Sequence, residues 1–136
     1  MNLQTFTSFQ GRIPRKTFWL ALIVMIVITW ILEIILFSIF GVSMMSMDPN
    51  ATPEAQAAAA EQAMSGMAIP LVILILLTIW PSLAIYAKRW HDRDKSGWWT
   101  LIGLVPIIGG LWMLIELGFL RGTEGPNRFG PDPIGE

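Results

Sequence analysis

Gln62 to Ala87 reads QAMSGMAIPLVILILLTIWPSLAIYA, 26 residues without a single charge. A helix that crosses a membrane needs about 20 mainly apolar residues. A half-buried soluble helix would show a polar stripe at every turn, and Leu71 to Trp80 shows no polar residue except Thr78. Two similar runs flank this one. Thr17 to Phe40 is 24 residues with one charge, Glu33, and Ser96 to Leu120 is 25 residues with one charge, Glu116. The expected fold is therefore an all-α integral membrane protein with three hydrophobic helices. The third is broken near Pro106-Gly110. The expected layout is a single membrane domain over 1–136. Its helices cover about 17–40, 53–88 (including an extramembrane extension) and 98–120, and its tail is 121–136.

Composition agrees. Hydrophobic residues make up 54% of the 136, and charged residues only 14%, against about a quarter in soluble domains. This excludes a disordered tail, a basic nucleic-acid binder and a typical soluble enzyme domain. There is no cysteine, so disulfides and thiolate chemistry are out. His91 is the one histidine, too few for a His-rich metal site within a chain. No metal, cofactor or catalytic set is expected.

The charges set an orientation. The nine basic residues fall in three clusters: Arg12, Arg15 and Lys16; Lys88, Arg89, Arg93 and Lys95; Arg121 and Arg128. The loop from Gly41 to Glu61 holds Asp48, Glu54 and Glu61 and no base. The positive-inside rule puts the N-terminus and the 88–95 loop in the cytoplasm and the acidic loop outside. The first run is too long for a signal peptide, and a Met-rich stretch follows it in place of a small-residue cleavage site, so it reads as a retained anchor. In the outer loop Thr52 suits an N-cap, Pro53 the first helical position and Glu54 the positive end of the helix dipole. Ala55 to Ala63 then favours helix strongly, with kinks expected at Gly66 and Pro70.

The third run has two readings. Trp98 to Val105 gives eight residues before Pro106-Ile107-Ile108-Gly109-Gly110, about 12 Å of helix against a core of about 30 Å. The favoured reading is a kinked span that places the tail outside. The other is a run that turns back and puts all nine bases on one side.

Three segments carry a resemblance. They are Phe9-Gln10-Gly11-Arg12-Ile13-Pro14-Arg15-Lys16-Thr17-Phe18-Trp19, Lys88-Arg89-Trp90-His91-Asp92 leading to Lys95-Ser96-Gly97-Trp98-Trp99, and Gly122-Thr123-Glu124-Gly125-Pro126-Asn127-Arg128-Phe129-Gly130-Pro131-Asp132-Pro133. In order and spacing they resemble the small bacterial inner-membrane proteins of domain-of-unknown-function family 805, over nearly the whole chain. Lys88, Trp90 and Phe129 depart from the family's usual Arg, Leu and Tyr. The resemblance implies an integral inner-membrane protein and no particular activity.

Arg12, Arg15, Arg89, His91, Asp92, Asn127 and Arg128 are the candidate functional or ion-pair residues. Arg12, Arg15 and Lys16 suit anionic headgroups or, with Arg89, a phosphate. His91, Asp92 and Asp94 suit either a cation or acid–base site, or internal ion pairs that clamp the N-terminal motif to the loop. Glu33 and Glu116 are ionisable groups inside apolar runs, which is costly and so points to function. In a kinked span they lie at similar depth and could share a proton. Thr78, Ser82 and Tyr86 recur every four residues, as a path lining or as interhelical hydrogen bonds. The tail reads as successive turns. No nucleophile–base set and no Rossmann or Walker pattern occurs.

The primary expectation is a non-enzymatic membrane scaffold or partner-binding protein with basic cytoplasmic loops. Its expected partners are the bilayer with anionic headgroups and a second copy or larger membrane protein, without nucleic acid. One alternative is a small transporter or channel component using Glu33 and Glu116. The other is a lipid-headgroup enzyme at the cytoplasmic face.

Overall fold

A computed structural model describes residues 1–41 and 48–134; the Met-rich stretch after the first run lies outside them. The chain is an all-α membrane protein, with two long apolar helices and a shorter one. Helix α1 is the short turn Gln4–Thr7. Helix α2 spans Arg15–Leu36 and runs into a π-helical turn, Phe37–Gly41. Helix α3 spans Pro53–Asp92, 40 residues. A 3₁₀ segment, Gly97–Leu104, leads to α4, Ile108–Met113, and a π-helical turn, Leu114–Phe119.

Local chemistry sets the ends of α3. Thr52 Oγ1 accepts a hydrogen bond from the Ala55 amide at 3.3 Å, the expected cap. The helix runs unbroken through Gly66, Pro70 and Pro81. It ends in a Schellman motif. The Lys95 amide donates to the Trp90 carbonyl and the Asp94 amide to the His91 carbonyl, both at 2.9 Å. Asp94 takes the left-handed conformation this requires, with φ 55°. Asp tolerates that region better than most residues.

Two compact units are resolved: one comprises Met1–Met25 and Ile79–Glu136, the other Ile26–Thr78. The second unit holds the C-terminal part of α2 and the N-terminal part of α3. Its large side chains, such as Trp30, Ile34, Val72 and Leu76, are mostly uncovered.

The first unit has the packed core. Phe18, Ala21 and Met25, spaced by three and four, put one stripe of α2 against Ile85, Trp90 and Leu117. Ile13 completes it, with Tyr86, Ile102 and Met113 at its edge. The third apolar run closes on this core as a hairpin. Val105, Pro106 and Ile107 make the turn, with Ile107 at φ 64°. The Gly109 amide donates to the Val105 carbonyl at 3.0 Å. The far end of the run then meets the loop that precedes its start: Lys95 Nζ lies 2.6 Å from Glu116 Oε1. This corrects the kinked-span expectation. Eight residues cannot cross the apolar layer, and the loop's bases hold the far end where the run began.

Candidate functional site

The motif residues converge in the first unit, around Asp92. Arg89 and Asp92 are one turn apart at the end of α3 and form an ion pair. Arg12 comes from the segment before α2, and its Nη2 lies 3.0 Å from Asp92 Oδ1. The side chains of Arg12, Arg89 and Asp92 are each no more than 2% exposed. One carboxylate thus sits between two guanidiniums in a dry site.

The remaining N–H donors go to main-chain oxygens. Arg12 donates to the carbonyls of Thr123 at 2.6 Å, Gly125 at 2.8 Å and Gly130 at 3.3 Å. Arg89 donates to the carbonyls of Leu117 and Leu120. Those two close the last helical turn of the third run, where carbonyls lack intrahelical partners and the dipole is negative. Arg15 adds a bond to the Phe119 carbonyl at 2.8 Å, and Trp19 Nε1 one to the Gly118 carbonyl at 3.1 Å. The Asp92 carbonyl accepts the Thr123 amide at 2.7 Å. The cluster clamps the N-terminal motif, the end of α3, the hairpin and the tail together.

Arg89, His91 and Asp92 lie beyond the uncharged run, outside the membrane-spanning part of α3. Burial lowers the Arg89 guanidinium to about 10, with Asp92 acting against the shift. Burial raises the Asp92 carboxyl above its ordinary range, opposed by Arg89 and Arg12. The two opposing charges share one site, and each holds the other's shift back.

His91 performs a different task. Its Nδ1 lies 3.1 Å from the Gly11 carbonyl, and its ring stacks on Phe129 with centroids 3.9 Å apart. Asn127 Nδ2 donates to the His91 carbonyl at 2.8 Å, while Asn127 Oδ1 accepts the Phe129 amide. Asn127 and Gly130 exchange backbone hydrogen bonds, closing the turn that presents Phe129. Arg128 pairs with Asp94 at 3.4 Å on the surface. Burial lowers the His91 pKa; the Gly11 carbonyl opposes this, and Arg128 and Lys88 reinforce it. Below the ordinary value near 6.5 the unfolded chain takes up a proton that the folded chain refuses, so stability falls as pH drops through that value. The loss is at most about 1.4 kcal/mol per pH unit. Thermal unfolding in detergent from about pH 7.5 to about pH 5.5 is expected to show it, and His91→Gln to flatten it.

Glu116 is mostly buried and paired with Lys95 at 2.6 Å and Arg93 at 3.2 Å. It therefore belongs to the basic loop's ion pairs. Glu33 is exposed on α2 in the second unit, in a shallow groove with Trp30, Ile34, Phe37 and Ser38. The Thr78 hydroxyl donates to its own helix, to the Leu74 carbonyl at 2.8 Å. Ser82 is half-buried, and Tyr86 packs near Phe18 at 6.0 Å between centroids.

Two participants escape a sequence reading. Lys88 is 3% exposed and donates to the Gln4 and Thr5 carbonyls. In the sequence it is only one base of a topological cluster, and nothing there signals its burial. Gly122 reads as a turn residue, yet a Cβ there would land on the Asp92 carboxylate. Gly122→Ala is expected to cost about 1–3 kcal/mol by overpacking, read as a lower unfolding midpoint in detergent.

The family profile described as "Protein of unknown function (DUF805)" matches residues 6–131. Inner membrane protein YhaH of Escherichia coli (strain K12) is 34% identical over 131 residues, covering 96% of this chain and 91% of the relative. Inner membrane protein YhaI of the same strain is 29% identical over 134 residues, covering 96% and 90%. The uncharacterized protein YiiR is 28% identical over 153 residues, covering 95% and 88%. No solved structure matches. With the three motifs gathered in one clamp, and relatives matched over nearly their whole length, the chain belongs to the DUF805 family of bacterial inner-membrane proteins.

Proposed function

We propose that this is a non-enzymatic, multi-pass inner-membrane protein with its N-terminus and basic loop in the cytoplasm. It holds a membrane partner through its uncovered apolar helices and contacts anionic headgroups through its exposed bases. The observation that carries this reading is that the charged motif residues are engaged with one another and with main-chain carbonyls. A headgroup enzyme would need His91, Asp92 and Asp94 to converge on an open pocket. Asp92 is instead closed between Arg12 and Arg89, and Asp94 faces Arg128. A proton or cation path would need Glu116 unpaired, and two bases hold it. Glu33 supports the partner. An ionisable group in an apolar run is costly against lipid, the more so the deeper it lies, and Glu33 is in the last turn of α2, within such a run. Trp30, Ile34 and Phe37 beside it are each more than 60% exposed.

A photo-crosslinking residue in place of Trp30, activated in native membranes, is expected to yield one discrete adduct. It would contain a second copy or another membrane protein. Recovery of monomer alone, at full expression, would overturn the partner reading.

A further inference from the structure

Lys88 is an anomaly in a unit whose other buried charges are paired. Its side chain is almost fully buried, and among the described residues no carboxylate forms a salt bridge with it. Asp92, four residues on, is already taken by two guanidiniums. The Lys88 ammonium has three N–H donors, and two carbonyls, those of Gln4 and Thr5, receive hydrogen bonds from it. A buried cation without a counter-charge is costly.

The same side chain lines a polar cavity of about 300 Å³ between the N-terminal segment and α3. Gln4, Ser8, Gln10 and Thr17 line it with neutral hydrogen-bonding groups, Arg12 lies at its wall, and no acid lines it. Ser8 Oγ accepts the Gln10 amide at 3.1 Å, so its own O–H is left to donate into the space. A neutral ligand would leave the charge unanswered, and a planar carboxylate would reach fewer of the hydroxyl and amide groups around it. A tetrahedral oxyanion uses one ammonium and several hydroxyl and amide donors together. The cavity also stands where the charge-free part of α3 gives way to bases, the level of lipid phosphates.

We infer that the cavity between the N-terminal segment and Lys88 binds a phosphate group, with Lys88 as its counter-charge and Ser8, Gln10 and Thr17 as hydrogen-bond donors. The phosphate comes from an anionic lipid headgroup or from solution. This deepens the headgroup contact proposed above. It rests on that reading only for the lipid source; the soluble arm of the test does not depend on it.

The test uses the full chain in maltoside micelles at matched ionic strength. Inorganic phosphate is added in one arm and short-chain phosphatidylglycerol in the other, each against sodium chloride. At about ten times the dissociation constant the unfolding midpoint is expected to rise by about 3–6 °C in at least one arm. A rise with phosphatidylglycerol alone assigns the lipid source, and a rise with inorganic phosphate alone assigns the free anion. Lys88→Gln is expected to abolish the rise. That variant also loses the bonds to α1, so Gln10→Glu serves as the second. It brings a carboxylate to the cavity and leaves the Lys88 hydrogen bonds intact. Its midpoint without ligand is expected to exceed that of the parent chain, and its rise with either ligand to vanish. No rise in either arm, or the same rise in Gln10→Glu, overturns the proposal.

Discussion

Asp92→Asn is expected to destabilise the first unit by about 3–5 kcal/mol, the usual loss when one partner of a buried ion pair is removed. The substitution keeps the shape of the side chain, so the loss is electrostatic. Arg12 and Arg89 would then face each other across a neutral amide, both nearly inaccessible to water. Denaturant or thermal unfolding in detergent reads the effect, with trypsin cleavage at Arg12 and Arg89 as a second probe. Many buried ion clusters can be replaced by apolar residues at little cost. This one is expected to resist such replacement. Changing Arg12, Arg89 and Asp92 together to apolar residues removes the charges but strands the carbonyls of Leu117, Leu120, Thr123 and Gly125. Each stranded buried carbonyl costs about 1–3 kcal/mol. A triple variant as stable as the parent would show that the clamp is dispensable.

Reporters fused before Met1 and after Glu136 are expected to read the same side of the membrane, the cytoplasmic side. The effect is all or none. Arg12 touches Asp92 and the carbonyls of Thr123, Gly125 and Gly130, so the beginning of the chain and its tail share one cluster. Pulling Gly130 through the bilayer would break the three carbonyl bonds and leave most of the buried Arg12 donors unmet. A paired alkaline phosphatase and green fluorescent protein fusion set checks the outcome. A periplasmic signal after Glu136 would restore the kinked span and undo the proposed orientation.

Much of this was legible from residue types alone. Long apolar runs report their environment because lipid offers no partner for a polar side chain; the orientation that the charge clusters suggest is what the reporter fusions test. The Thr52 cap was readable because a capping hydroxyl and its amide are three residues apart. The ion-pair reading of Asp92 with Arg12 was open because few opposite charges competed. The hairpin was harder. Pro106 to Gly110 is compatible with a kink or a turn, and the choice depends on whether Lys95 and Arg93 capture Glu116, a contact over 21 and 23 residues. The apolar count around Glu116 suggested depth in the membrane, and the neighbouring bases overrode it. Lys88 and Gly122 were invisible for a related reason. Their roles come from backbone oxygens and a carboxylate brought in by distant segments, and main-chain groups leave no mark in a sequence.

The clamp also dictates an order of assembly. Arg12 precedes its acceptors by 80, 111, 113 and 118 residues along the chain. Until the tail emerges, Arg12 has Asp92 alone among its partners, and the carbonyls that take its other donors are still missing. The hairpin can insert, but Arg89 cannot hold it until Leu120 has been made. Contacts this distant close slowly. The unit is thus completed only once the 122–130 segment has been made, and a chain stopped short of Gly122 lacks the carbonyls that hold Arg12. Copies truncated before Thr123 are thus expected to present an open, protease-accessible N-terminal segment, while copies that carry the 123–130 carbonyls do not.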